Sequence, residues 1–66
     1  MAIRNHIRRL RKEQGWTQAD LAQLVHVSRQ TIISLEKGSY VPSLELAMDL
    51  AAIFKLPIET IFEKEV

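Results

Sequence analysis

Two glycines and two prolines divide this chain into short segments, and their positions constrain the fold more than any other feature of the sequence. Gly15, Gly38, Pro42 and Pro57 lie between stretches in which apolar residues recur every three or four positions. That period places side chains on one face of an α-helix, and Gly and Pro commonly mark where helices end. The pattern therefore predicts an all-α fold, a compact domain of five short helices.

Residues suited to helix ends give the boundaries of these five helices. The first helix carries Ile3, Ile7 and Leu10 on one face and runs to about Gln14. Thr17 and Ser28 are the N-caps of the second and third, and Ser43 begins the fourth. Asp20 is placed to complete a capping box with Thr17, and the fifth helix follows Pro57 and includes Phe62. The side chains expected to face the core are Ile3, Ile7, Leu10, Trp16, Leu21, Ala22, Val25, Ile32, Leu35, Leu44, Ala47, Leu50, Ala51, Phe54, Ile58, Ile61 and Phe62.

Length and composition exclude several classes of protein. A chain of 66 residues can form one domain, here residues 1–66, and with no cysteine it has neither a disulfide framework nor a thiolate metal site. No apolar run approaches the roughly 20 residues of a membrane helix, and the first residues do not resemble a secretory signal. We therefore expect a cytoplasmic protein whose mature chain starts at Met1.

The net charge of +1 conceals an uneven distribution. Residues 1–38 carry seven Lys or Arg against three Asp or Glu, a formal +4, whereas residues 39–66 carry two against five, a formal −3. A chain of this kind can turn its basic end toward a polyanion. Two ordinary solvated faces explain the same distribution equally well, so charge alone does not decide the function.

The segment from Thr17 to Gly38 contains two short helices joined by about three residues, which is typical of a helix-turn-helix. The second helix of such a pair protrudes and fits the major groove of DNA, with its N-terminal residues nearest the base edges. Here Arg29 can pair with guanine and Gln30 with adenine, so both are predicted to read bases directly. Ser34 lies one turn later on the same side.

Ile33 is an apolar residue on the side of this helix that is expected to be exposed to solvent. It can pack against the loop around Tyr40 or lie against a thymine methyl group, and the packing role is the more common one. Phosphate contacts are expected on two flanks of the helix, from Gln18 on one side and from the loop after Gly38, with Lys37 beside it, on the other. The predicted phosphate-binding residues are Gln18, Ser28, Thr31, Lys37, Ser39 and Tyr40.

The basic run of Arg8, Arg9, Arg11 and Lys12 has no single direction, because successive helical residues point to different faces. Most of it is interpreted as solvated surface that adds long-range attraction to DNA. A metal site at His6 or His26 is not expected, since no cysteine or carboxylate lies at ligand spacing.

Several linked stretches now resemble the phage repressor/Cro (XRE) family of helix-turn-helix domains over about residues 7–62. They are Thr17-Gln18-x-x-Leu21-Ala22, Val27-Ser28-Arg29-Gln30-Thr31-Ile32, Leu35-Glu36-Lys37-Gly38 and Pro42-Ser43. The resemblance implies a five-helix repressor-like domain with the helix-turn-helix at 18–37 and the recognition helix at 28–37. It also implies base contacts from the positions of Arg29, Gln30 and Ser34, and a phosphate contact from that of Gln18.

The resemblance also implies structural roles at two further places in the chain. The family commonly pairs an arginine of its first helix with a glutamate near the end of the recognition helix, and Arg11 and Glu36 match those positions. Arg11 would then be structural. The turn position that the family usually fills with Gly is His26 here, and this residue is expected to adopt the left-handed conformation at a small loss of stability.

These features favour a transcriptional regulator, most simply a repressor that binds a pseudo-palindromic operator as a homodimer. By resemblance, Pro57, Ile58 and Ile61 are candidates for the dimer interface, with Leu46 and Ile53 as possible additions; alternatively, Ile58 and Ile61 only close the monomer core. No cofactor and no small-molecule ligand are expected. The chain has no phosphate-cradling glycine loop and no nucleophile with a base, which excludes the common enzyme classes.

A second hypothesis is a protein-interaction module, such as an antitoxin or an anti-repressor, built on the same scaffold. The acidic C-terminal half and the apolar last helix would then form the binding surface. A purely protein-binding chain has no need for groove-compatible residues at Arg29, Gln30 and Ser34, and their presence favours DNA binding.

Overall fold

Five helices follow one another between two short strands in residues 2–65, the part of the chain that the computed structural model describes. In chain order the elements are β1 (Ala2–Asn5), α1 (Ile7–Glu13), α2 (Gln18–Leu24), α3 (Arg29–Lys37), α4 (Leu44–Phe54), α5 (Ile58–Ile61) and β2 (Phe62–Glu65). None of these helices has the length and apolar character needed to span a lipid bilayer. The five predicted helices are confirmed, and the small sheet is an addition to them.

Side-chain oxygens cap the N-termini of α2, α3 and α4 at the residues that the sequence predicts. The Thr17 hydroxyl accepts a hydrogen bond from the Asp20 amide at 3.0 Å, and an Asp20 carboxylate oxygen accepts from the Thr17 amide at 2.9 Å. The hydrogen bond from the Thr17 amide, first, and one with the Thr17 side chain favour the ionised carboxylate and hold the pKa of Asp20 below its ordinary value. Ser28 and Ser43 cap α3 and α4 in the same way, with bonds of 3.2 Å from the amides of Thr31 and Leu46.

Two residues other than glycine adopt the left-handed conformation in the described chain: His26 with φ 59° and Lys55 with φ 56°. His26 occupies the turn between α2 and α3, as expected, and Lys55 ends α4. A side chain at this conformation brings Cβ close to the neighbouring backbone, a strain that glycine avoids. Both turns are therefore kept at some loss of stability.

Substitution His26→Gly should raise the free energy of unfolding by about 0.5–1 kcal/mol, because relief of the left-handed strain exceeds the added chain entropy of glycine. Urea unfolding followed by circular dichroism measures the change. Gln23→Gly, three positions earlier within α2, is the matched control and should destabilise by about 1 kcal/mol. Equal destabilisation by both substitutions would show that His26 is unstrained.

The core lies where α1, α2, α3 and α4 meet, and it is closed by α5. Ile7, Leu21, Ile32, Leu35, Leu50 and Ile61 are its large, fully buried side chains. Trp16 fills the space beside it, with its ring centroid 5.7 Å from that of Phe54. The predicted core is confirmed at all of these positions.

Helix α4 buries Ala47, Leu50 and Phe54 as predicted, but its first turn differs from the prediction. Leu44, expected inside, is 72 % exposed, and Leu46, expected outside, is 5 % exposed. Leu46, Leu50 and Phe54 recur every four residues and make the buried stripe, whereas Leu44 and Met48 make a second apolar stripe that faces outward. Both stripes have helical spacing. The periodicity of apolar residues therefore could not show which stripe faces the core in the first turn of α4.

Strands β1 and β2 pair antiparallel, with Ile3 opposite Lys64, Arg4 opposite Glu63 and Asn5 opposite Phe62. The sequence analysis placed Ile3 in the first helix and Phe62 in the fifth, and both placements are wrong. The first helix cannot extend back to Ile3 because the side chain of Asn5 accepts from the Ile7 amide at 3.1 Å and donates to the Leu35 carbonyl at 2.7 Å. Asn5 thus fixes where the strand ends and α1 begins.

A polar contact ties the start of α1 to β2. The His6 ring nitrogen Nε2 lies 2.8 Å from a Glu63 carboxylate oxygen, and Arg4 approaches the same carboxylate at 3.7 Å. The contact with His6, first, and the charge of Arg4 hold the pKa of Glu63 below its ordinary value. The two ends of the described chain are therefore joined by side chains as well as by the sheet.

Candidate nucleic-acid interface

Helix α3 has one face in the core and the opposite face open. Ile32 and Leu35 are fully buried, which anchors the helix. Arg29 and Gln30, in its first turn, are exposed, and Ser34 is half-buried. The three residues predicted to read bases thus lie on the part of α3 that is turned away from the core.

A cleft runs along each side of the exposed face of α3. We call the first, of about 560 Å³, the Gln18 flank; its lining residues are Arg8, Arg11, Lys12, Gln18, Ile33, Glu36 and Lys37. We call the second, of about 290 Å³, the Tyr40 flank; its lining residues are Ser28, Gln30, Thr31, Ser34, Ser39 and Tyr40. The six predicted phosphate-binding residues all line one or the other of these two clefts.

A chain of hydrogen bonds crosses the Gln18 flank from the core to the exposed face. The Gln18 amide nitrogen donates to a Glu36 carboxylate oxygen at 3.2 Å, and the Gln18 amide oxygen accepts from the Arg29 guanidinium at 3.4 Å. Gln18 therefore links a predicted base-reading side chain to the interior. Its amide group keeps a second N–H for a ligand.

The inner end of that chain is an ion pair between Arg11 and Glu36. Arg11 donates from Nε to Glu36 Oε2 at 2.7 Å and from Nη2 to Oε1 at 3.2 Å, and its Nη1 donates to the Trp16 carbonyl at 2.8 Å. The two side chains are 9 % and 6 % exposed. The structure thus brings together the pair that the resemblance implied and gives Arg11 a structural position.

The Tyr40 flank is lined mainly by hydroxyl groups. The Ser28 and Thr31 hydroxyls lie 2.9 Å apart beside the N-cap of α3, and the Ser39 hydroxyl donates to the Ser34 carbonyl at 3.2 Å. Tyr40 is 41 % exposed. Local bonds hold the Ser28, Thr31 and Ser39 hydroxyls in place beside the cleft.

Two residues of α3 lie on the other flank from the one expected. The sequence analysis grouped Lys37 with Ser39 and Tyr40, but Lys37 lines the Gln18 flank. Ile33 is half-buried and lines the same flank rather than the cleft beside Tyr40. Both placements follow from helix geometry, because residues four apart share one face.

Arg8 and Lys12 also line the Gln18 flank, although the sequence analysis left them on solvated surface. The spacing of four residues could have shown that they share one face of the first helix. What the sequence does not show is which element that face meets.

The residues predicted to form a dimer interface divide into exposed and buried. Pro57 is exposed, and Ile58 and Ile53 are half-buried. Ile61 is fully buried and Leu46 is 5 % exposed, so both belong to the monomer core and cannot contact a partner as predicted. Within residues 41–64, the exposed large apolar side chains are Val41, Leu44 and Met48, at 62, 72 and 57 %.

Comparisons with known proteins agree with this geometry. The sequence profile of a family described as helix-turn-helix matches residues 7–61. An HTH-type transcriptional regulator of Methanothermobacter thermautotrophicus is 56 % identical over 61 residues, which cover 91 % of this chain and 88 % of the relative. One of Archaeoglobus fulgidus is 48 % identical over 60 residues, covering 91 % and 86 %.

A relative with a more specific name is the competence pilus inhibition repressor of Acinetobacter baylyi, 40 % identical over 62 residues, which cover 94 % of this chain and 56 % of that protein. The crystal structure of a transcriptional regulator from Listeria innocua superposes with a TM-score of 0.79 at 28 % identity, covering 96 % of this chain and 64 % of the other. A protein from Bacteroides fragilis shares the fold, with a TM-score of 0.81 at 21 % identity and coverage of 92 % and 98 %.

The fold, the open face of α3 and these matches define a helix-turn-helix regulator rather than an enzyme. The chain belongs to the helix-turn-helix family of transcriptional regulators.

Proposed function

We propose that this protein binds duplex DNA sequence-specifically, with α3 in the major groove. The observation that carries the proposal is the anchored recognition helix, whose open face presents Arg29 and Gln30. An Arg fork matches O6 and N7 of guanine, and a Gln amide matches N6 and N7 of adenine. Ser34 adds a third polar group, and Ile33 is available to a thymine methyl group at the edge of the same face.

The two flanks of α3 would receive the two phosphate backbones that border the groove. The groove is about 12 Å wide and admits one α-helix, so its walls lie on either side of that helix. Gln18 and Lys37 would contact one backbone, and Ser39, Tyr40 and the Ser28–Thr31 hydroxyls the other. Such contacts set the register of the protein and leave base discrimination to α3.

A homodimer on a pseudo-palindromic operator is the second element of the proposal. One domain of this size covers few base pairs, whereas two copies on successive turns, about 34 Å apart, make a selective site. Pro57 and Ile58 remain available for the interface. Leu44 and Met48 form an exposed apolar stripe on α4 that is also available to an interface.

Sedimentation over a range of concentrations tests this dimer. We expect a monomer–dimer equilibrium, and a monomer at the highest concentration would contradict the homodimer without affecting the DNA-binding proposal.

Repression by blocking access of the polymerase is the simplest consequence of binding. The relative from Acinetobacter baylyi that is named a repressor supports this direction. The cytoplasmic location expected from the sequence suits a protein that acts on duplex DNA.

In vitro selection from random duplexes, repeated at two salt concentrations, tests the function. A two-fold symmetric motif whose binding weakens with salt supports it, because phosphate contacts release counterions. Recovery of no motif, together with weak binding that salt does not change, would contradict it and favour the protein-interaction module.

A further inference from the structure

The basic run at residues 8–12 is divided by the structure among three environments. Arg11 turns inward and pairs with Glu36. Arg9 pairs with Glu13 one turn along α1, at 3.0 Å and exposed to solvent. Arg8 and Lys12 share a third face of α1 and line the Gln18 flank. The sequence shows one basic cluster, whereas the fold brings Arg8, Arg11 and Lys12 to the cleft beside α3 and pairs Arg11 there with Glu36.

The cations of the Gln18 flank exceed its anions. Four basic side chains and one carboxylate line the cleft, a formal charge of +3. That carboxylate, Glu36, already accepts two bonds from Arg11 and one from Gln18. Within residues 3–64, neither Arg8, Lys12 nor Lys37 forms an ion pair. The cleft therefore attracts an anion that the described chain does not supply.

The placement of these cations suits an extended anion. Arg8 and Lys12 lie about 6 Å apart along α1, and Lys37 lines the same cleft from the end of α3. Gln18, which is predicted to hold a phosphate beside α3, lies among them. A DNA strand carries a phosphate for every 3.4 Å or so of its axis, so a backbone seated at Gln18 continues past neighbouring cations.

We propose that Arg8 and Lys12 contact the phosphate backbone directly and extend the DNA-binding surface from α3 onto α1. The inference rests on the proposed function and adds two residues to it. Arg8, Lys12 and Lys37 then form one track along a single strand. These contacts are independent of base sequence, since they involve phosphates alone.

Binding of a fixed-length, random-sequence duplex over a salt series tests the track. The double variant Arg8→Gln/Lys12→Gln should reduce the slope of log K against log salt by roughly 2 for each bound protomer. Between 50 and 200 mM salt the wild type would then lose roughly tenfold more affinity than the variant. Arg8→Lys/Lys12→Arg, which keeps both charges, should retain the wild-type slope.

Arg9→Gln is the matched control, because it removes a positive charge from the same helix but at a side chain paired with Glu13. It should leave the slope unchanged. If the double variant shows the slope of Arg9→Gln, Arg8 and Lys12 are not in contact with phosphate and the inference is wrong. A wild-type protein with no salt-dependent duplex binding would instead contradict the proposed function itself, so the two failures are distinguishable.

Discussion

Replacing Arg11 by alanine is expected to remove about 3–5 kcal/mol from the free energy of unfolding. Glu36 is only 6 % exposed, so without Arg11 its buried carboxylate would lose the charge with which it is paired. The Trp16 carbonyl would lose its donor as well. A chain of 66 residues has a total stability of about 3–10 kcal/mol, so most of it would disappear. We expect the melting temperature to fall by about 12 °C or more, measured by circular dichroism.

Arg9→Ala is the control for this experiment. It removes the same side-chain type from the same helix, but its pair with Glu13 is exposed and worth only about 0.3–0.5 kcal/mol. The double variant Arg11→Met/Glu36→Leu should recover much of the stability, because it leaves no unpaired charge in the interior. Equal melting temperatures for Arg11→Ala and Arg9→Ala would show that the buried pair contributes nothing.

Helix boundaries were predictable because they depend on local chemistry. Thr17, Ser28 and Ser43 each bond to an amide three residues later, so a short stretch of sequence contains both partners. Gly38 ends α3 in the left-handed conformation for an equally local reason. These features account for the correct placement of the second, third and fourth helices.

The sheet was not predictable from local pattern. β1 and β2 are four residues each and lie at opposite ends of the described chain, and neither has the strong alternation typical of a strand. An isolated two-stranded sheet is marginal in water. This one is supported by contacts that only the folded chain creates, such as the bond of 2.9 Å from the His6 amide to the Ile61 carbonyl.

The residues of the candidate site likewise differ in whether the sequence alone could show their positions. Arg29 and Gln30 could be chosen from the sequence because the first turn of a recognition helix is defined by its N-cap. Lys37 was assigned to the other flank, and Arg8 and Lys12 were left unassigned, because these assignments depend on how α1 packs beside α3. Residue spacing gives the face of a helix, and only the tertiary structure shows what that face meets.

A second large effect is expected for Arg29→Ala, which should change the DNA sequence that the protein prefers. Loss of a bidentate contact to guanine removes about 1–3 kcal/mol of discrimination at one base pair, and a homodimer would lose it in both half-sites. The side chain is exposed, and its contact with Gln18 is a long hydrogen bond of 3.4 Å, so folding should be unaffected. Repeating the in vitro selection with the variant measures the change.

Arg29→Lys and Lys37→Gln separate base reading from charge. Arg29→Lys keeps the positive charge but lacks the planar fork, so it should lose preference at the same position as Arg29→Ala. Lys37→Gln should weaken binding to all duplexes about equally and reduce the salt slope by about 1, because Lys37 is predicted to contact phosphate. If Arg29→Ala selects the wild-type motif unchanged, Arg29 does not read a base, and Gln30 and Ser34 would have to carry the specificity of α3.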